Sequence, residues 1–317
     1  MALSLALSPL AFGTRLGFAP QSSVPLDVLA LALIPAVLWG ASPIVSKRGM
    51  AAGGSSLQAS LVVVVVDSTL YWVALFALHG ANPLAGLSPS TLGLFAFAGL
   101  VGTSLGRLAT FTGVDRVGAS VNSAGVSTRP LFATALAAVL LGESVTTATV
   151  VGVLVLVGGL VVLALAKGGD VSGWEPRELL FPLAAACAFA VGNVVRRFGL
   201  TTTDASTLQA VTVNETAALV GLVGYALAKN RRDVLDAPKR TYGFFALSGT
   251  LTAFALLSLF EALDRGSVAL VDPLAGTAPL FTTVFAAAFL RGLERVTRGV
   301  VAGAALVVVG AGVITAL

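Results

Sequence analysis

From residue 27 to the C-terminus the chain is a series of about ten apolar stretches of roughly 20 residues each, and the last five repeat the first five. FTGVDRVGAS…STRPLF, from Phe111 to Phe132, returns as FEALDRGSVAL…TAPLF, from Phe260 to Phe281. Asp115-Arg116 recurs as Asp264-Arg265, and Pro130-Leu131-Phe132 as Pro279-Leu280-Phe281, both 149 residues on. A unit with an odd number of spans enters a membrane on one side and leaves on the other, so its copy sits upside down. Inverted repeats of this kind hold a binding site near the bilayer midplane, between the halves, as secondary transporters do.

Composition fits that frame. Apolar residues make up 56% of the chain and charged residues 11%, and the mean hydropathy is +0.96. The expected spans lie near 27–48, 57–79, 91–114, 118–141, 146–166, 179–199, 206–228, 241–263, 267–290 and 297–316. Connections are short, and even Lys229–Arg240 is too small to fold as a soluble domain. The net charge of +4 comes from basic residues gathered at span ends, which suits anionic lipid and fixed topology rather than nucleic acid. One cysteine, Cys187, allows no internal disulfide, and one histidine, His79, makes a histidine-based metal site an unsuitable reading. No cofactor is implied. Met1–Phe12 is too short to cross and lacks a basic leader, so residues 1–26 are expected to form an interfacial or disordered extension.

The duplication continues along both halves. Gly40-Ala41-Ser42 leads to Lys47-Arg48, and Gly192-Asn193 leads to Arg196-Arg197. Glu143-Ser144-Val145-Thr146 matches Glu294-Arg295-Val296-Thr297, and Gly152 and Gly159 match Gly303 and Gly310. The tract Leu38-Trp39-Gly40-Ala41-Ser42-Pro43 with Lys47 resembles the first helix of EamA-type transporters, of the drug/metabolite transporter superfamily. The ordered set Pro130, Glu143, Gly152–Gly159, repeated as Pro279, Glu294, Gly303–Gly312, is similar to the same family. The resemblance implies an all-α membrane protein of ten helices in two inverted five-helix repeats, 27–167 and 177–317. It also implies movement of small organic metabolites or amphipathic compounds by alternating access.

Gly99, Gly102 and Gly106 are small residues along one span, and Gly299 and Gly303 along another, as close helix packing in lipid requires. Pro130 and Pro279 each remove a backbone hydrogen bond, from the carbonyls of Val126 and Ala275, and predict matched kinks in the fourth and ninth spans. Span ten carries no charge from Val300 on and predicts a lipid-facing or dimer-facing helix, with a homodimer as one arrangement.

Ionisable residues inside the spans cost about 3 kcal/mol each at the bilayer centre, so they face partners or a cavity. Asp67 and Glu215 fall in the middle of spans two and seven, 148 residues apart, and predict acids at matching depth. With Glu261, near a span end, they are the candidates for gating or proton coupling. Arg107, Asn122, Arg129, Asn193 and Asp272, together with Trp39 and Ser42, are placed along the substrate pathway. Helical spacing sets Asn122, Gly125 and Arg129 on one face, Asp272, Gly276 and Pro279 on another, and Thr103, Ser104 and Arg107 on a third. A guanidinium holds a carboxylate or phosphate at two points; here Arg107 and Arg129 either do that for substrate or neutralise intramembrane acids. Lys47, Arg196 and Arg197 are expected to snorkel to the interface. Asn214-Glu215-Thr216 matches a glycosylation acceptor but lies mid-span.

Catalytic constellations are absent from the sequence, which argues against a membrane enzyme. A channel fits poorly with an inverted repeat, and no soluble domain supports a scaffold or receptor. Loop Lys and Arg counts place the termini outside, whereas the resemblance implies termini in the cytoplasm. The Ala, Val, Gly and Arg bias points to the plasma membrane of a GC-rich prokaryote.

Overall fold

Helix starts in this chain are written in short polar motifs. Ser55 and Ser206 accept the backbone amides of Gln58 and Gln209, whose side chains return the bond to the cap residue. The same glutamines also reach into the other half, Gln58 Nε2 donating to the Asp236 carbonyl (3.1 Å) and Gln209 Nε2 to that of Pro83 (3.0 Å). Ser88 and Thr146 cap two further starts.

The computed structural model describes residues 25–117, 119–166, 175–229, 236–289 and 297–315. Met1–Phe12 and Glu294-Arg295-Val296 lie outside the described residues. The helices are α1 (Leu26–Ala51), α2 (Ser56–His79), α3 (Pro89–Ala98), α4 (Gly106–Val117), α5 (Ala119–Val126), α6 (Arg129–Leu136), α7 (Thr147–Leu165), α8 (Leu180–Thr202), α9 (Thr207–Ala228), α10 (Lys239–Arg265), α11 (Val268–Ala275), α12 (Ala278–Phe289) and α13 (Arg298–Thr315). A π-helical segment, Gly99–Leu105, joins α3 to α4, a second, Ala137–Leu141, extends α6, and a 3-10 turn, Pro176–Leu179, precedes α8. Together they make ten spans, the third being α3–α4, the fourth α5–α6 and the ninth α11–α12. Among the described residues seven helices are long and apolar enough to cross a membrane, and Thr147–Val162, Val268–Phe281 and Val301–Thr315 are shorter apolar ones.

Helix pairing survives exchange of the halves. α1 packs on α10, and its counterpart α8 packs on α3–α4; α2 packs on α10, and α9 on α3 and the π segment. α1 also packs on α11–α12 as α8 does on α5–α6, while α2 meets α9 and α7 meets α13. With five alternating spans per half, this pattern describes a pseudo-two-fold axis in the membrane plane. α7 and α13 approach through glycine: a Cβ on Gly159 would lie 2.6 Å from the Val307 amide nitrogen. The other face of α13 is open, with Val308 61% exposed.

The third span carries one residue more than the eighth. Thr91, Gly93 and Phe95 match Thr241, Gly243 and Phe245 at an offset of 150, yet Phe111 matches Phe260 at 149. A π turn closes on i+5 instead of i+4, and the Gly99–Leu105 segment absorbs the extra residue while α10 stays α-helical. Its glycines let neighbours close in. Gly99 lies against the Asn214 carbonyl, a Cβ on Gly102 would sit 2.7 Å from Gly192 Cα, and one on Gly106 2.6 Å from the Phe189 ring.

Candidate functional site

Spans four and nine are each two helices. α5 ends at Val126 and α6 begins at Arg129, with Pro130 in its first turn; α11 ends at Ala275 and α12 begins at Ala278, followed by Pro279. Hydroxyls fill in where the ladder stops, Thr128 Oγ1 donating to the Gly125 carbonyl (2.6 Å) and Thr277 Oγ1 to that of Leu274 (2.7 Å). The two breaks meet: a Cβ on Gly276 would lie 3.3 Å from Pro130 Cγ.

A chain of polar side chains runs through this meeting point and across both halves. Arg129 donates from Nε to Asp272 Oδ2 (3.1 Å) and from Nη2 to the Asp272 carbonyl (3.4 Å). The Asn193 amide donates to Asp272 Oδ1, and Arg196 Nη1 donates to Asn193 Oδ1 (2.7 Å). Arg196 also donates from Nε to Asn214 Oδ1 (3.0 Å) and from Nη2 to Thr103 Oγ1 (2.9 Å). Asn214 Nδ2 (2.7 Å) and the Thr103 hydroxyl (3.1 Å) then converge on Glu215 Oε1. The Phe260 ring lies 5.3 Å beneath the Arg196 guanidinium carbon. The chain is packed shut: Asp272 and Glu215 are fully buried and Arg196 is only 4% exposed. Each acid in it has donors from a different helix, and one of the three bonds of the Arg196 guanidinium, that to Thr103, crosses between the halves.

Arg196 therefore corrects the expectation that it snorkels. α8 continues to Thr202 rather than ending at 199, so Arg196 lies well inside its span, where a charge needs partners. Arg197, the next residue, lies on a less buried face of α8 and donates to the carbonyls of Leu263 (2.7 Å) and Asp264 (2.6 Å) near the end of α10. Lys47 is exposed. Beside Arg197, Glu143 accepts the Val268 (2.9 Å) and Ala269 (3.1 Å) amides, so a first-half loop caps the start of α11.

The remaining expected residues are dispersed. Asn122 is buried, but it packs on Gly113 of α4, with its Oδ1 unpartnered, and does not share a helix with Arg129 across the break at 127–128. Ser42 bonds to Ser248 (2.6 Å) and Thr252 (3.4 Å) at the α1–α10 seam, where Ser46 also meets Ser248 (2.8 Å). Trp39 packs half-buried against the main apolar core. Glu261 sits near the end of α10, bonded to the Thr207 hydroxyl and to Arg265 (2.8 Å), away from Asp67 and Glu215. Arg107 is half-buried and carries no hydrogen bond or ion pair among the described residues.

Asp67 and Glu215 are not equivalent within the repeat. Counted from the caps Ser55 and Ser206, Asp67 is twelve residues into α2 and Glu215 nine into α9. α2 and α9 pack antiparallel, however, and the inversion cancels the difference: Asp67 lies about 18 Å from the start of α2 and Glu215 about 19 Å from the end of α9, on the same side. Val64 of α2 and Ala218 of α9 fall in one buried cluster, and the charge of Glu215 acts on Asp67.

The sequence profile of the EamA-like transporter family matches residues 28–165 and again 177–316. The chain belongs to the EamA-like transporter family. This EamA-like chain is a multi-pass membrane protein of a transporter family, not an enzyme, and a small-molecule substrate follows from that membership. A solved protein crystal structure superposes on it with a TM-score of 0.74, covering 92% of this chain and 98% of its own at 19% identity, which shows the shared fold. No curated protein matches the sequence.

Among the described residues no group of three or more His, Cys, Asp or Glu side chains could hold a metal ion. The residues that sequence reasoning passed over are Asn214 and the buried role of Arg196. The spacing of Asn193, Arg196 and Arg129 with intramembrane acids was a signal for both, since each buried arginine needs acceptors.

Proposed function

We propose that this EamA-like protein is a secondary transporter that moves small organic metabolites or amphipathic compounds by alternating access between the halves 27–167 and 177–317. The observation that carries the proposal is the polar chain from Arg129 to Glu215, which crosses the contact between halves at the two broken helices. Broken helices leave backbone groups free at mid-membrane, and interrupted spans of this kind are where transporters bind substrate. Arg129, 15% exposed at its side chain, and the half-buried Arg107 are the cations able to take an anionic or zwitterionic group. Asn193 and Asp272 set the orientation of Arg129. Residues of the polar chain must separate for the path to open, so the packed arrangement corresponds to a closed state. The plasma membrane of a prokaryote is its place of work, and the open face of α13 meets lipid or a second copy.

Counterflow in proteoliposomes, across compounds chosen by thermal-shift screening, tests the reading. Arg129→Lys is expected to lower counterflow about tenfold, because the charge stays but the planar fork that holds an anionic group at two points goes. Arg129→Ala is expected to lower it further. Full recovery in Arg129→Ala with Asp272→Asn would make Arg129 a structural partner only, and no counterflow with any compound would remove transport itself.

A further inference from the structure

Asp67 is a fully buried acid with both carboxylate oxygens unpartnered, the nearest polar group being Ser68 on its own helix. Ser68 Oγ is also buried and unpartnered, as is Glu215 Oε2. Glu215 Oε1, by contrast, is held by Thr103 and Asn214 and through them by Arg196. The charged groups acting on Asp67 are Glu215 from α9 and Arg107 from α4. Tyr71, one turn along α2, gives its hydroxyl to the Ala253 carbonyl of α10 (2.6 Å), not to Asp67. α10 and α1 also pack on α2, but their charged residues lie only near their ends.

Two carboxylates level with each other in hydrocarbon, one of them without a donor, cannot both keep a negative charge. We propose that Asp67 and Glu215 form a one-proton site, in which the proton sits on Asp67 and leaves Arg107 free to hold an anionic group of the substrate. This rests on the transporter reading and deepens it. When the proton passes from an Asp67 oxygen to water, a bare carboxylate remains, and Arg107 is the cation whose charge acts on it. Arg107 then serves either Asp67 or the substrate, and one proton travels with one negative charge. Coupling arises from competition for a single guanidinium, without a separate relay.

Infrared spectroscopy of the reconstituted full chain tests the site without knowledge of the substrate. At pH 7 the wild type is expected to show the carbonyl stretch of a protonated carboxylic acid, shifting in D2O. Asp67→Asn should remove that band, while Asp272→Asn should retain it, since Asp272 is held by Arg129 and Asn193. Wild type lacking the band overturns the proposal whatever the variants do; so does a band that survives in folded Asp67→Asn, or one abolished by Na+ at constant pH. A missing band in protein that still catalyses counterflow removes the proton site alone. A band in protein that moves no compound supports the site and removes the transport reading.

Discussion

Two seams of this molecule are mates under exchange of its halves, and they have kept the same packing while acquiring different chemistry. Where α1 meets α10, a Cβ on Gly49 would lie 2.5 Å from the Phe245 ring; where α8 meets the third span, one on Gly199 would lie 2.6 Å from Phe95. Both phenylalanines are fully buried. Beyond that shared contact the middle of the α1–α10 seam carries the hydroxyls Ser42, Ser46, Ser248 and Thr252, and its ion pair, Arg265 with Asp27 (3.5 Å), lies exposed at the helix ends. The other seam holds Asn193, Arg196 and Thr103, and Thr103 stands 149 residues before Thr252. In the register of Gly49 and Gly199, 150 residues apart, the mate of Arg196 is Ser46, yet one is a half-buried hydroxyl and the other is at the centre of a buried network. Duplication preserved the steric frame, and buried charge was placed in one copy of it.

The largest test of that contrast removes its central member. Arg196→Met is expected to lower stability by about 3–5 kcal/mol, because Asn193, Asn214 and Thr103 lose a shared donor and Glu215 its buried counter-charge. Ser46→Ala, which removes one neutral hydroxyl bond, should cost about 1 kcal/mol. Thermal unfolding in detergent compares them, and equal losses would erase the distinction between the seams. Next comes Gly102→Ala, whose Cβ would meet Gly192 Cα at 2.7 Å; overpacking there should cost about 1–3 kcal/mol. Gly243→Ala in α10 has open space and should be neutral or slightly stabilising, by up to about 1 kcal/mol. If both glycines tolerate alanine alike, close approach is not what shapes the charged seam. Smallest is Ser248→Ala, which removes a neutral hydroxyl from a cluster of its own kind and should cost about 1 kcal/mol. A loss matching that of Arg196→Met would show the hydroxyl seam to be as demanding as the charged one.

Much of the fold was legible because apolar length and the repeat are properties of the chain alone. The Phe111/Phe260 and Pro130/Pro279 matches mark the halves without any structure. What escaped were changes of register. A single offset of 149 passes over Phe95/Phe245 at 150 and Ser55/Ser206 at 151, since insertions and helix geometry absorb residues that sequence spacing counts rigidly. Arg196 was misplaced because the end of its helix was set three residues short, turning an interior charge into a flank. Asn214 was masked by its own sequon. Asp67 and Glu215 were paired for a reason that fails, equivalence in the repeat; antiparallel packing of unequal depths is what aligns them.

Glu143 carries a consequence for how the chain is made. Its two oxygens are filled by the Val268 and Ala269 amides, the first of them 125 residues further along the chain. During synthesis the first five spans emerge with this carboxylate uncapped, and it waits until the ninth span arrives. Membrane insertion of the first half is thus separable from its completion, which only the second half can supply. Halves produced as two polypeptides should accumulate together and be degraded singly, and pulse-chase of each half with and without the other reads that dependence directly.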